Sequence, residues 1–247
     1  MRRLLWLLFA ALALAHPARA QAPVDLHLVL AIDVSSSIDY REFNLEVEGY
    51  VQAFRHPDVL RAIQAGPHGR IAVTVMQWAG RYQQRVAVDW MVIGAAAEAE
   101  RMFSEIAEMP RLFEGATALG EAVLYAIELF DRAPGSAPRR TIDVSGDGMS
   151  NEGQVASFGR DAAARRGITI NGLAIVNEEK DLEEFYRQFL ITGPAAFVMV
   201  ARNFESFADA IVRKLIREIT GELVSETCPA YPSGVRPAEA LAHMTGH

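Results

Sequence analysis

Residues 28–40 read LVLAIDVSSSIDY. An apolar run ends in Asp33, and Ser35, Ser36 and Ser37 follow at once, before a tyrosine that opens a long amphipathic stretch. The run reads as a strand and the stretch after it as a helix. The serines between them admit three readings: a nucleophile site, a helix-capping turn, or oxygen ligands for a metal.

Outward from this stretch, short β-branched runs alternate with amphipathic ones. Strands are expected at Leu26–Ile32, Arg70–Trp78, Arg85–Val92, Thr141–Ser145, Ile168–Ile175 and Ala196–Val200. Helices are expected at Tyr40–Ala65, Ala95–Glu108, Ala118–Arg132, Gln154–Arg166, Lys180–Leu190 and Phe204–Leu223. That alternation predicts an α/β domain with helices on both faces of a mostly parallel sheet. One link departs from it. Only AGRYQQ separates RIAVTVMQW from RVAVDWMV, and a parallel crossover needs about a dozen residues or more, so this pair is expected to be an antiparallel hairpin. The expectation is a doubly wound, Rossmann-like six-stranded sheet with one antiparallel edge strand.

The two ends read differently. Residues 1–20, MRRLLWLLFAALALAHPARA, have two arginines at the start, an apolar core from Leu4 to Ala15 and Ala-Arg-Ala at the close. This is the layout of a signal peptide cleaved after Ala20, too short to span a bilayer, so an exported chain, periplasmic or secreted, is expected with no membrane span after cleavage. A domain is expected over residues 21–223. Residues 224–247, with three prolines and no sustained period, are expected to be a mostly disordered tail. The leader holds three of the 24 basic residues and no acid, which leaves 21 bases against 31 acids and a net charge of −10. So acidic a surface argues against nucleic acid and against anionic lipid as partners. The single cysteine, Cys228, cannot form an internal disulfide.

In a doubly wound sheet, ligands bind beyond the carboxyl ends of the strands, where the strand order reverses. The first strand ends at Asp33 and the fourth near Asp147, in TIDVSGDGMSNEG. Asp33, Ser35 and Ser37 alternate, so an extended loop turns all three side chains one way and Ser36 the other. Thr117, in FEGATALGEAV, precedes a helix on a glycine-flanked turn. Two carboxylates and three hydroxyls suit a hard cation such as Mg²⁺ that retains several waters. Taken singly, each residue also has a plain role: Ser37 or Asp39, and Thr117, as helix N-caps, and Asp147 as turn chemistry. Their joint placement at three loops is what favours the metal. IDVS occurs at both 32–35 and 142–145, but Asp143 and Asp147 lie ~13 Å apart along a strand and cannot share an ion. Asp143 is expected inside the sheet, in need of a partner.

Catalysis has little support. There is no G-x-S-x-G elbow, and the six histidines show no spacing for a metal triad or a base beside the serines. A metal-assisted hydrolase and a structural module without functional metal remain the alternatives, and no enzyme is expected.

DVSSS, GATALGEAV and SGDG resemble the three pieces of the metal-ion-dependent adhesion site of von Willebrand factor type A domains, and the likeness runs from about Val24 to Leu223. It implies that Asp33, Ser35, Ser37, Thr117 and Asp147 surround one divalent cation, Mg²⁺ or else Mn²⁺ or Ca²⁺. The serines and threonine would touch the ion and the aspartates act largely through water. It further implies a partner protein whose acidic side chain completes the shell. Two positions depart from the family pattern. Ala116 stands where a second glycine is usual, and Gly146 where a threonine is frequent. Alanine is tolerated if its φ is negative, whereas glycine at 146 removes a hydroxyl that would support the site.

Overall fold

The computed structural model describes residues 22–221. The expected leader, the tail with Cys228 and the two extreme ends of the 21–223 domain lie outside the described residues.

Six strands form one sheet: β1 (His27–Asp33), β2 (Ile71–Trp78), β3 (Gln84–Ile93), β4 (Arg140–Gly146), β5 (Thr169–Ile175) and β6 (Val198–Ala201). Their order is β3-β2-β1-β4-β5-β6. Only β3, at the edge, is antiparallel to its neighbour. The short connection before it closes as a turn, with Ala79 N donating to Gln83 O at 3.0 Å. The chain leaves β1 toward β2 on one side and returns to β4 on the other, so β1 and β4 flank the reversal.

Among the described residues there are seven α-helices: α1 (Tyr40–Arg55), α2 (Pro57–Gln64), α3 (Ala96–Glu108), α4 (Leu119–Leu129), α5 (Ala156–Arg165), α6 (Leu182–Phe189) and α7 (Phe207–Thr220). β1 is buried along its whole length because both of its faces are covered. Leu28, Leu30 and Ile32 pack into the layer of α1, α2, α3 and α7, while Val29 and Ala31 pack into that of α4, α5 and α6. No helix of the described residues is long and apolar enough to cross a membrane.

The helix expected over Tyr40–Ala65 is two. Proline disfavours helical backbone in the residue before it, and His56 accordingly takes φ −68° and ψ 126°, ending α1 while Pro57 opens α2. The last helix also differs: Phe204–Ser206 form a 3₁₀ turn, and α7 closes at Thr220 on Gly221, a left-handed cap with φ 69°.

At the start of α1, Asp39 accepts from Glu42 N at 2.8 Å and Glu42 Oε2 accepts from Asp39 N at 2.9 Å. Asp39→Ala is expected to cost about 1 kcal/mol in a urea melt, since one orphan N–H loses its acceptor. Asp39 is thus the cap, which frees Ser37 from that role.

The interior is not all apolar. Asp143 and Ser145 on β4 face α1 and α7, and both are fully buried. Lys214 Nζ of α7 lies 2.5 Å from Asp143 Oδ1 and 2.6 Å from Glu218 Oε1. Asn171 of β5 donates to the same Glu218 oxygen at 2.9 Å. Beside them, Ser145 Oγ donates to Glu46 Oε1 of α1 at 2.6 Å. The partner that Asp143 needs is therefore Lys214.

Candidate metal centre

Beyond the carboxyl ends of β1 and β4, three loops meet. Asp33 is the last residue of β1, and its Oδ1 accepts from Ser35 N at 2.8 Å, which turns the chain sharply after the strand. That turn brings Ser35 Oγ to 3.3 Å from Ser37 Oγ. Ser37 Oγ donates to Asp147 Oδ1 at 2.7 Å and so ties the loop after β1 to the loop after β4. A β-carbon on Gly148 would lie 3.9 Å from both Ser37 Oγ and Thr117 Oγ1, which places the third loop at the same point. The structure thus gathers Asp33, Ser35, Ser37, Thr117 and Asp147; Ser36 and Ser37 are both exposed, and both line the open side of the site.

Thr117 does not cap the helix that follows it. The N-cap of α4 is Ala118, with no side-chain cap bond. Thr117 is instead clamped through its main chain: its N donates to Asn151 Oδ1 and its O accepts from Asn151 N, both at 2.9 Å. Ala116 has no left-handed backbone; among the described residues Ala195 is the non-glycine with positive φ. Alanine therefore fits where the family pattern has glycine.

The electrostatics are those of an uncompensated acidic site. Burial, then the charge of Asp147, push the Asp33 carboxyl up to about 8. Burial also raises Asp147, against the hydrogen bond from Ser37. Asp33 Oδ2 is buried without a hydrogen-bond partner. Two such carboxylates side by side need protons or a cation between them. The cluster opens into a cleft of 650 Å³ lined by Ser37, Thr117, Asp147 and Asn151, with Glu178 and Glu179 at its rim. No group of three or more His, Cys, Asp or Glu side chains suited to a metal occurs among the described residues. The donor set here is different, with hydroxyls outnumbering carboxylates, and hard oxygen donors with room for water fit Mg²⁺ better than a soft ion.

Two contributors escape a reading by motif. Arg111 donates to Val34 O at 3.1 Å and Ser35 O at 3.0 Å, bracing the β1 loop from outside. Asn151 sits in the quoted SGDGMSNEG stretch, but nothing local signals that its amide grips Thr117.

No curated protein sequence matches the chain. Solved structures do. The proximal thread matrix protein 1 of the mussel byssus, with a zinc-occupied MIDAS motif, is 16% identical at a TM-score of 0.60 over 81% of this chain and 49% of its own. The pilus adhesin SpaC of Lactobacillus rhamnosus GG is 12% identical at 0.57, over 80% and 31%. A von Willebrand factor type A structure from Catenulispora acidiphila is 18% identical at 0.56, over 80% and 43%. This chain spans less than half the length of each, and at such identities the likeness concerns the fold. Residues 23–223 match the family described as protein of unknown function, DUF1194. The chain belongs to that family, and its fold is that of a von Willebrand factor type A domain.

Proposed function

We propose that this chain is an exported, divalent-cation-dependent protein-binding module. One observation carries the reading: the bond from Ser37 to Asp147, which joins the loops of β1 and β4 into a single oxygen cluster facing an open cleft. Ser35, Ser37 and Thr117 would hold Mg²⁺, Mn²⁺ or Ca²⁺ through their hydroxyls, and Asp33 and Asp147 would balance it, largely through water. The two aspartates match the ion's charge, so an acidic side chain of a partner protein is accommodated as the outer ligand. The zinc-occupied motif of the byssus matrix protein and the adhesin fold of SpaC support this assignment.

The surface around the cluster agrees with a protein partner. Tyr40, Tyr82, Val155, Phe158 and Phe189 are the exposed large apolar side chains among the described residues. Tyr40 packs under Arg111 next to the Ser35 loop, and Tyr82 lies on the turn whose Arg81 N donates to Glu152. Val155 and Phe189 line a groove that shares Asn151 with the cation cleft. Aromatic side chains of this kind anchor protein interfaces.

Affinity capture with the chain lacking residues 1–20 tests the reading. Partner retention is expected in Mg²⁺, and loss in EDTA and for Thr117→Ala. Equal capture under all three conditions overturns cation dependence. For export, a mature N-terminus at Gln21 in the exported fraction is the expected result.

A further inference from the structure

Asp33 Oδ2 and the hydroxyl of Tyr186 are both buried without a hydrogen-bond partner, and they face the same spot. A β-carbon on Gly146 would lie 2.9 Å from each of them. The two oxygens are therefore at most twice that distance apart, within reach of a direct contact or of one bridging water. Tyr186 comes from α6, and its ring lies over the sheet because two strands leave room for it. A β-carbon on Gly172 of β5 would meet Tyr186 Cδ2 at 2.6 Å, and Gly146 of β4 clears the hydroxyl end. Side chains at 142, 144, 170 and 174 share this face and this core, so the ring crosses from β5 over β4 toward Asp33 on β1. A side chain at Gly172 would force the ring to shift, and one at Gly146 would force the hydroxyl or Asp33 to move.

A buried hydroxyl with no acceptor is costly, as is a buried carboxylate oxygen with no donor. Placing both at one point, behind two glycines, makes sense if they serve each other when the carboxylate is charged. We propose that Tyr186 is a positioning residue for the cation site, its hydroxyl donating to Asp33 Oδ2 directly or through one water. Asp33 is then fixed at both oxygens, by Ser35 N on Oδ1 and by Tyr186 on Oδ2. Its remaining lone pairs stay free for the cation's water shell. This rests on the metal reading above and names a residue that no part of the serine, threonine and aspartate pattern contains.

The test compares Mg²⁺ affinity, from calorimetric titration, with the melting temperature in EDTA for wild type, Tyr186→Phe and Gly172→Ala. Tyr186→Phe keeps the ring and removes the donor. It is expected to weaken Mg²⁺ binding by about 10–100-fold, the usual effect of losing a ligand's support. Its melting temperature in EDTA is expected to stay or rise, because in the cation-free structure this buried hydroxyl has no partner to lose. Affinity and stability then move in opposite directions, which a merely structural tyrosine would not do. Gly172→Ala, which displaces the ring, is expected to weaken Mg²⁺ binding as well. Wild-type binding with unchanged affinity in Tyr186→Phe overturns this proposal alone. A parallel fall in affinity and in EDTA melting temperature for that variant also overturns it. A wild type that binds neither Mg²⁺ nor Mn²⁺ overturns the metal reading and this proposal together.

Discussion

Replacing Lys214 with methionine is expected to cost the fold about 3–5 kcal/mol, the penalty for removing one member of a buried ion pair. Lys214 and Asp143 are both fully buried, and Glu218 is nearly so. Without the amine, two carboxyls face each other in the core with only Asn171 to donate to Glu218. For a chain of this size that loss corresponds to a fall in melting temperature of roughly 6–20 °C. The deficit has a predictable pH dependence. Burial and the charge of Asp143 raise the Glu218 carboxyl to about 8 even with Lys214 present, so in the variant Glu218 will hold its proton more tightly still. The deficit is therefore expected to grow as pH rises through and above about 8, where the wild type releases the Glu218 proton and the variant retains it. The triple variant Lys214→Met, Asp143→Asn, Glu218→Gln removes every charge and keeps an acceptor for Asn171. It is expected to regain most of the loss, as neutral replacements of buried ion networks commonly do. Equal melting of wild type and Lys214→Met would show that the pair is not closed in solution.

The same residues show where a sequence stops being legible. Asp33, Ser35 and Ser37 could be read as a set because alternation along an extended segment is a local property. The hairpin could be read because six linking residues cannot make a crossover. Asp143 was legible as buried, but its partner was not. Lys214 and Glu218 are spaced i, i+4 on α7, the spacing of an ordinary solvent-facing pair. They are buried because α7 crosses directly above Asp143, and that depends on a packing angle no local pattern encodes. The division at His56 has a local cause, Pro57, which splits the expected helix Tyr40–Ala65 in two. Tyr186 lies furthest beyond reach. Its position requires glycines at 146 and 172, on two different strands, and neither neighbours it in the chain. What the motif exposes is the set of atoms offered to a ligand; what it leaves out is what holds those atoms still.

Asp33→Asn is expected to make the cation-free protein more stable and to abolish its response to cations. Asn keeps the shape and the hydrogen bond from Ser35 N, and it removes a charge that the cation-free core does not balance. The sign of the pH dependence follows from the same charge. Asp33 ionises near 3.8 in an unfolded chain and at about 8 in the folded one, with burial the first cause and Asp147 the second. Between those values the folded state binds more protons than the unfolded state, so stability in EDTA declines as pH rises from about 4 to about 8. A bound cation opposes the trend, because the proton must leave before the ion's shell can form. Mg²⁺ at about 100 times its Kd is expected to add about 2.7 kcal/mol near pH 8, or roughly 5–11 °C, and much less near pH 5. In the asparagine variant, melting in EDTA is expected to exceed wild type near pH 8, to converge with it toward pH 4, and to ignore Mg²⁺ throughout. A variant that melts below wild type at pH 8 in EDTA would mean that Asp33 stabilises the empty fold, leaving no deficit for a cation to relieve. The predicted pattern instead places instability and binding in one carboxylate: the charge that weakens the empty fold is the charge that gives the ion its place.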